Sequence, residues 1–434
     1  MNIQIVEEKL SKIYKLIKLS LFKEASEKID IVIQYDGINN EQIKKIVTSL
    51  LDILFKFNED RKHKEAIETV KIINKFKDYI KDKRIENIIL NELELAEGKI
   101  FLHSKPRSLQ VVLTTMCNLD CIMCGLPQEH YIMPDSIKKT IIEYMPYLES
   151  VIWQGGEPLL YKGFKDLFYA ASKYDVDQTV TTNGLLIDND ILDVIERTQG
   201  TIHLDISIDA VDKITYAKIR RKGDFNILLE KIDLINKKIL KNTNPNFMLG
   251  MQPVIMKSNY KQLSQMIDFA IDKGFSKILF QRLYPSYLAK NEGLNTDENN
   301  YVVEQIKEYK EKLERQKRLI NIDSNLEYIK DNSNENFVCN KNLEENPHNI
   351  KQKNDLFCLA PWKRMFIGRE KIVMPVCHCD VDGIKVENIN ELWNGKGMID
   401  FRKCMLEGTI PHQCNTFCKT SGDCFERIRR TGKN

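Results

Sequence analysis

An α/β fold is predicted for the middle of this 434-residue chain, and three observations predict it. Short apolar runs recur at 109–114, 149–154, 178–182, 201–208, 247–255 and 276–281. Each of the first five is followed by an amphipathic stretch before the next run begins, as in strand–helix–strand units. The flanks differ: the first 98 residues are helical in pattern, and the chain after 357 is rich in Cys. Six parallel strands with crossover helices make a sheet that is either open or curled into a partial barrel.

The chain divides into four units. In 1–98, Leu10, Ile13, Tyr14, Ile17 and Leu21 follow one helical face, and Ile43, Ile46, Val47, Leu50, Leu51 and Leu54 follow another. Lys23-Glu24-Ala25 reappears as Lys64-Glu65-Ala66, 41 positions on. Each triplet opens a helix, carrying Ile29, Val32 and Ile33 or Val70 and Ile73. Such a repeat suits tetratricopeptide-like hairpins or a plain helical bundle. Gly98 ends the unit, and Lys105-Pro106 leads into the core at 107–285. A charged helix around 298–318 opens the third unit, 286–356, whose end is polar: eight of the 26 residues in 331–356 are Asn. That composition does not bury a core, so a linker or loop is expected there, with Cys339 unligated. The last unit is 357–434.

Lys plus Arg total 65 and Asp plus Glu 62, a net charge of +3. This balance gives no reason to expect nucleic acid or an anionic membrane as a partner. Eleven Cys behind an N-terminus that lacks an export signal point to metal or redox use in a reducing, cytoplasmic setting. No apolar run reaches the ~18 residues a bilayer span needs.

Directly after the first strand stands Cys117-Asn118-Leu119-Asp120-Cys121-Ile122-Met123-Cys124. Three thiols stand within eight residues directly after a strand end, and a loop is expected to turn them toward one place. Converging thiolates hold a soft metal centre. A four-iron cluster takes four thiolates, and three would leave one iron open for another ligand. A zinc knuckle or three unrelated buried thiols are the alternatives. Trp153-Gln154-Gly155-Gly156-Glu157-Pro158 closes the second strand, Thr181-Thr182-Asn183-Gly184 the third and Ser207-Ile208-Asp209-Ala210 the fourth. Parallel α/β folds gather their chemistry at such strand ends. Asn183 equally suits a turn, and Asp209 a helix N-cap.

The Cys triplet with these strand-end motifs resembles the radical S-adenosylmethionine (SAM) enzymes. The resemblance implies a partial (β/α)6 TIM-like barrel in which Cys117, Cys121 and Cys124 hold a [4Fe-4S] cluster. In that family the open iron binds the amino and carboxylate groups of SAM, and an electron from the cluster splits the sulfonium into methionine and a 5′-deoxyadenosyl radical. Gly155, Gly156 and Glu157 match the motif whose backbone holds the SAM amino group. Asn183, Ser207 and Asp209 match positions lining the SAM pocket, and Arg220 or Arg221 would pair with its carboxylate. One departure is Met123, where an aromatic residue is usual; Met is apolar and polarizable enough to pack against adenine.

The chain's end resembles the SPASM/twitch domain: Cys358-Leu359-Ala360-Pro361-Trp362, then Gly368, Val373-Met374-Pro375-Val376-Cys377-His378-Cys379, Trp393, Arg402 and the run from Cys414 through Cys418 to Cys424. By that resemblance Cys358, Cys377, Cys414 and Cys418 would bind an auxiliary [4Fe-4S] cluster. Two departures stand out. The terminal pair is spaced by three residues where two is usual, and Ile428 stands where the longer form has another Cys. This argues against a complete second auxiliary cluster and leaves Cys379, Cys404 and Cys424 unassigned. Four Cys also suit structural zinc.

The resulting expectation is an oxidoreductase that abstracts hydrogen from a peptide or protein, supplied with electrons by a donor such as flavodoxin or ferredoxin. A dehydrogenase of a small sugar or cyclitol is the alternative, and a non-catalytic zinc scaffold the alternative of another class. Every SAM-site candidate follows residue 109; if the N-terminal helices recruit the substrate, a chain starting near His103 is expected to fold and still cleave SAM, and if they only cover the barrel wall it is expected to aggregate.

Overall fold

A computed structural model of the protein describes residues 3–34, 39–125, 130–239, 245–283, 289–315, 320–324, 356–368, 373–374, 393–408 and 427–429. It opens with helices α1 (Ile3–Lys18), α2 (Phe22–Ile33), α3 (Asn40–Glu59), α4 (His63–Ile73) and α5 (Lys83–Ala96). The repeat seen in sequence is a repeat of structure. Helices α1 and α2 form one hairpin, and α3 and α4 a second. Ser20 (φ 60°) and Arg61 (φ 57°) turn the chain in the same left-handed conformation. Their N–H groups donate to Ile17 and Asn58, and those of Leu21 and Lys62 to Leu16 and Phe57. Ala25 and Ala66 are both fully buried where the helices meet. Leu21 departs from the expected α1 face: it stands between the helices, 41% exposed, because the chain has already turned at Ser20.

The core follows as β1 (Ser108–Val112), β2 (Asp120–Cys121), α6 (Asp135–Tyr144), β3 (Ser150–Gln154), α7 (Phe164–Lys173), β4 (Asp177–Thr182), α8 (Asn189–Arg197) and β5 (Ile202–Ile206). Next come α9 (Lys213–Ile219), β6 (Arg220–Arg221), α10 (Phe225–Lys238), β7 (Phe247–Met251), β8 (Val254–Ile255), α11 (Leu263–Asp272) and β9 (Lys277–Arg282). Asp188, Asp212 and Asp224 cap α8, α9 and α10 through their side chains, each worth about 1 kcal/mol. The rest is α12 (Thr296–Arg315), β10 (Asn321–Ser324), β11 (Leu356–Cys358), α13 (Ala360–Lys363), β12 (Arg364–Ile367), β13 (Val373–Met374), α14 (Lys396–Leu406) and β14 (Arg427–Arg429).

Six strands in sequential order, β1-β3-β4-β5-β7-β9, make the expected parallel half-barrel. The expected fifth strand is broken at Gln252-Pro253, because Pro253 has no N–H for the ladder; β8 resumes pairing with β9 beyond the break. The sheet then exceeds expectation at both ends. β10, inside the stretch read as helix and polar linker, pairs in parallel with β9. β12, from the unit read as a separate C-terminal domain, pairs in parallel with β1 and carries β13 as a hairpin. Neither strand, at four residues, is long enough for its pattern to stand out.

Right-handed crossovers between sequential strands put the connecting helices on one side. Leu109, Val111, Val151, Trp153, Val180, Leu204, Ile206, Leu249 and Met251 are accordingly buried on that side. The alternate positions, among them Gln110, Gln154, Thr181 and His203, are half-exposed on the concave face. No described helix is long and apolar enough to cross a membrane.

The helical region has its own apolar core, but α5 is shared. Its Leu95 belongs to the barrel core, while Ile88, Ile89 and Ala96 belong to the other. Gly98 (φ 66°) ends α5, as expected, and Lys99 N–H closes back on Glu94 O at 2.8 Å. Around it the chain's distant parts are tied together. Glu92, fully buried, accepts from Asn58 at 2.6 Å and Lys363 at 3.0 Å, and pairs with Arg107. Arg107 also grips Glu149 and lies 4.8 Å over the Phe55 ring. Asn91 donates to the Trp362 carbonyl at 2.7 Å, and Trp362 Nε1 to the Lys99 carbonyl at 2.9 Å. Buried Arg402 stacks on Trp393 and donates to the carbonyls of Ile100, Pro361 and Trp393.

A break after residue 98 therefore cuts through a joint, which favours the alternative in which a chain starting near His103 aggregates. Such a chain leaves Arg107 and Lys363 buried without Glu92. It is expected to be insoluble, checked by expression and circular dichroism. Burial alone would raise the Glu92 pKa, but the charges of Lys363 and Arg107 and the Asn58 amide hold it below its ordinary range. This contribution is present above the unfolded carboxyl pKa, near 4.5, and is lost as pH falls through the lower folded value. Glu92→Ala is expected to lower stability by about 3–5 kcal/mol in urea unfolding at pH 7, and by less at pH 3.

Candidate functional site

The Cys loop leaves the C-terminal end of β1 and is closed at its neck. Thr114 Oγ1 donates to the Tyr131 carbonyl at 2.8 Å, Thr115 N–H to the same carbonyl at 3.0 Å, and Tyr131 N–H to Thr115 Oγ1 at 2.8 Å. The glycine turn after β3 packs against this neck. Gly156 N–H donates to Thr114 O at 2.7 Å and Glu157 N–H to Met116 O at 2.8 Å. A Cβ on Gly155 (φ 145°) would lie 2.2 Å from Thr114 O, and one on Gly156 2.3 Å from Met116 O. The two glycines are thus required by the close approach of the Cys loop's own backbone.

Glu157 turns inward. Fully buried, it accepts from Thr182 Oγ1 at 2.7 Å, Asn183 N–H at 2.8 Å and Leu159 N–H at 3.2 Å. Burial raises its pKa against these donors. Its carboxylate positions the ends of β3 and β4 rather than facing open space. Asn183 makes the turn foreseen for it, Leu185 N–H donating to Oδ1 at 3.0 Å, and it also reaches the Cys loop. Its Nδ2 lies 2.7 Å from Asn118 Oδ1 and 3.9 Å from Cys117 Sγ.

The other side of the loop is held by strand pairing. β2 pairs antiparallel with β6, setting Cys121 opposite Arg220 and Asp120 opposite Arg221. The two arginines are thereby separated in space. Arg221 pairs with Asp120 at the surface, both more than half exposed. Arg220 is buried, with Nε 2.7 Å from Asp209 Oδ2 and NH1 3.8 Å from Cys121 Sγ. Asp209 is no N-cap; Asp212 caps α9 instead. It is fully buried, and its Oδ1 accepts from Val254 N–H at 2.7 Å. Burial raises its pKa, Arg220 opposing. Ser207 is half-buried at the end of β5, bound through its own N–H to Thr182 O.

The donor set fits a thiolate-bound cluster. Cys117 and Cys121 stand at one strand-end mouth, with Cys124 N–H donating to Cys121 O at 3.1 Å. Among the described residues no three His, Cys, Asp or Glu side chains converge closely enough for one ion. A cluster presents a separate iron to each thiolate and suits thiols spaced apart. Leu119 N–H points at Cys117 Sγ at 3.3 Å, a contact that tunes a bound thiolate. Burial raises the Cys117 pKa and pushes that of Cys121 to about 11, Arg220 opposing at Cys121. These two thiols therefore favour their protonated form when metal-free, and loading must release the protons. Met123 packs into the barrel core.

Of the C-terminal candidates, Cys358 is half-buried at the end of β11 and Cys404 half-buried on α14. Cys377, Cys414 and Cys418, like Cys339, Cys379 and Cys424, lie outside the described residues. The neck residues Thr114, Thr115 and Tyr131 and the tether Asn118 were not among the candidates. Thr and Tyr near a Cys motif carry no pattern that marks them, since their role comes from pairing across the loop.

Residues 111–270 match the Radical SAM superfamily. The GTP 3′,8-cyclase of Synechocystis sp. is 27% identical over 195 residues, 42% of this chain and 57% of the cyclase. The chain thus spans little more than half the length of this curated relative. Streptococcus suis SuiB bound to the precursor peptide SuiA superposes with a TM-score of 0.52 at 17% identity, covering 73% of this chain and 69% of SuiB. Native anSMEcpe with bound AdoMet and Cp18Cys peptide gives 0.50 at 17%, covering 76% and 92%. At such identity the likeness is one of fold.

Replacing Gly156 by Ala puts a Cβ into the Met116 carbonyl, so the neck must move. The expected cost is about 1–3 kcal/mol. It is checked as faster anaerobic alkylation of Cys117 and Cys121 in metal-free protein; an unchanged rate would show that the turn does not hold the loop.

Proposed function

We propose that this chain, which belongs to the radical SAM superfamily, is an enzyme that abstracts hydrogen from a peptide or protein substrate on the concave face of its half-barrel. The reading is carried by one observation: the loop of Cys117, Cys121 and Cys124 is bound to the Gly155-Gly156 turn, Asn183 and Arg220 at the strand ends. When bound, a [4Fe-4S] cluster and SAM supply a 5′-deoxyadenosyl radical; the protein supplies position and dryness. The three thiolates hold the cluster. Gly155 and Gly156 present backbone to the SAM amino group, and Asn183 and Ser207 stand where its polar groups would lie. Arg220 would pair with the carboxylate, and Glu157 and Asp209, both turned inward, hold Asn183 and Arg220 in place.

The peptide choice draws support from the bound peptides of SuiB and anSMEcpe and from the helical hairpins beside the barrel. A second reading, cyclisation of GTP, is favoured by the similarity to GTP 3′,8-cyclases. An auxiliary cluster on Cys358, Cys377, Cys414 and Cys418 fits the pairing of β11 with β14. That pairing sets Cys358 opposite Arg427, three residues past Cys424 in sequence. A flavodoxin or ferredoxin would supply the electron.

Anaerobically reconstituted protein with dithionite is expected to convert SAM to 5′-deoxyadenosine and methionine. Alanine at Cys117, Cys121 or Cys124 should abolish this; cleavage surviving in the triple variant sinks the assignment. About eight irons per chain are expected with two clusters, falling to about four in the Cys358→Ala, Cys377→Ala double variant. Zinc without sulfide would favour the scaffold alternative instead.

A further inference from the structure

The concave face holds a polar chain that the site above does not use. Asp205, on β5, is only 4% exposed. Gly250, its register partner on β7, leaves it room: a Cβ there would lie 2.1 Å from Asp205 Oδ1. Gln252 Nε2 donates to Asp205 Oδ2 at 2.5 Å, and Gln281 Nε2 donates to Gln252 Oε1 at 3.1 Å. The order of these bonds has a consequence. A carboxylate only accepts, so Gln252 must turn its amide N–H toward Asp205 and its oxygen toward Gln281. Gln281 then spends an N–H on Gln252. Two acceptors, Asp205 Oδ1 and Gln281 Oε1, are left without a donor among the described residues.

We propose that Asp205, Gln252 and Gln281 form a substrate subsite that takes a group bearing several N–H donors, a guanidinium or the N1–H and N2–H edge of guanine. The proposal rests on the reading of the concave face as the place where the substrate meets the radical. N–H donors complement these acceptors, whereas an acceptor-rich group would face them in repulsion. Burial raises the Asp205 pKa, with Lys277, His203 and the Gln252 bond opposing. A bound donor pair acts in the same sense as those three.

The test uses the anaerobically reconstituted full chain and isothermal titration. One pair of probes is N-acetyl-arginine amide against N-acetyl-norleucine amide; the other is GTP against inosine triphosphate, which lacks the N2 amino group. Wild type should prefer the donor-bearing member of one pair by about tenfold, the size of a lost bond to a charged acceptor. The pair that discriminates names the source, a basic peptide side chain or a guanine nucleotide. Asp205→Asn turns an amide N–H toward the ligand and should reduce the preference below twofold, with iron content unchanged. Equal binding within both pairs, or a preference surviving Asp205→Asn, overturns the subsite. If that variant loses its iron, Gln281→Ala, at a half-buried position, should reduce the preference at least threefold, and an unchanged preference overturns the proposal. Intact SAM cleavage without discrimination sinks the subsite alone. Absence of SAM cleavage in wild type sinks the reading beneath it.

Discussion

A carboxylate with no access to water has to find positive charge, and in this protein that requirement falls on Glu92. Its partners come from three parts of the chain: Asn58 from the helical region, Arg107 from the approach to the first strand, and Lys363 from the segment entering β12. An isolated buried charge costs several kcal/mol, so none of the three can leave without stranding the others. The helices, the barrel and the C-terminal strand are fixed to one another by that condition. Arg402, satisfied by carbonyls at the same joint, and the paired bonds between Asn394 and Leu102 close it further.

The same economy of contacts governs the mouth of the barrel. The Cys loop is held through backbone: its neck against Gly156 and Tyr131, its middle against β6. Side chains then finish the positioning. Glu157 fastens β4 to the glycine turn, and Asp209 fastens Arg220 beside Cys121. Two carboxylates in motifs that suggest ligand contact are turned into the protein, where they hold Asn183 and Arg220 in place.

How much of this was legible in the sequence follows from which interactions are local. The six core strands and their helices were, because buried strands show continuous apolar runs and helices show period. The Cys triplet and the glycine turn were, because their spacing is itself the chemistry. β10 and β12 were not: each is four residues long and owes its place to the edge it pairs with. Nor was the inward role of Glu157 and Asp209, since a motif gives an identity without a direction. Arg220 and Arg221 are adjacent, and only strand pairing decides which is buried. The joint around Glu92 was hidden for a similar reason, as a Glu on an amphipathic helix reads as solvated until its partners arrive from far away in the chain.

That distance has a consequence for the order in which the protein can be made. The outer edge of β1 is covered by β12, whose first residue is Arg364, while β1 ends at Val112. A ribosome adding about 5–20 residues per second takes roughly 10–50 s to cross that interval. Through all of it the half-barrel carries a bare strand edge flanked by buried apolar side chains, the kind of template on which other chains pair. Glu92 waits over the same interval for Lys363. The nascent core is thus a half-closed object, completed only when the last part of the chain emerges.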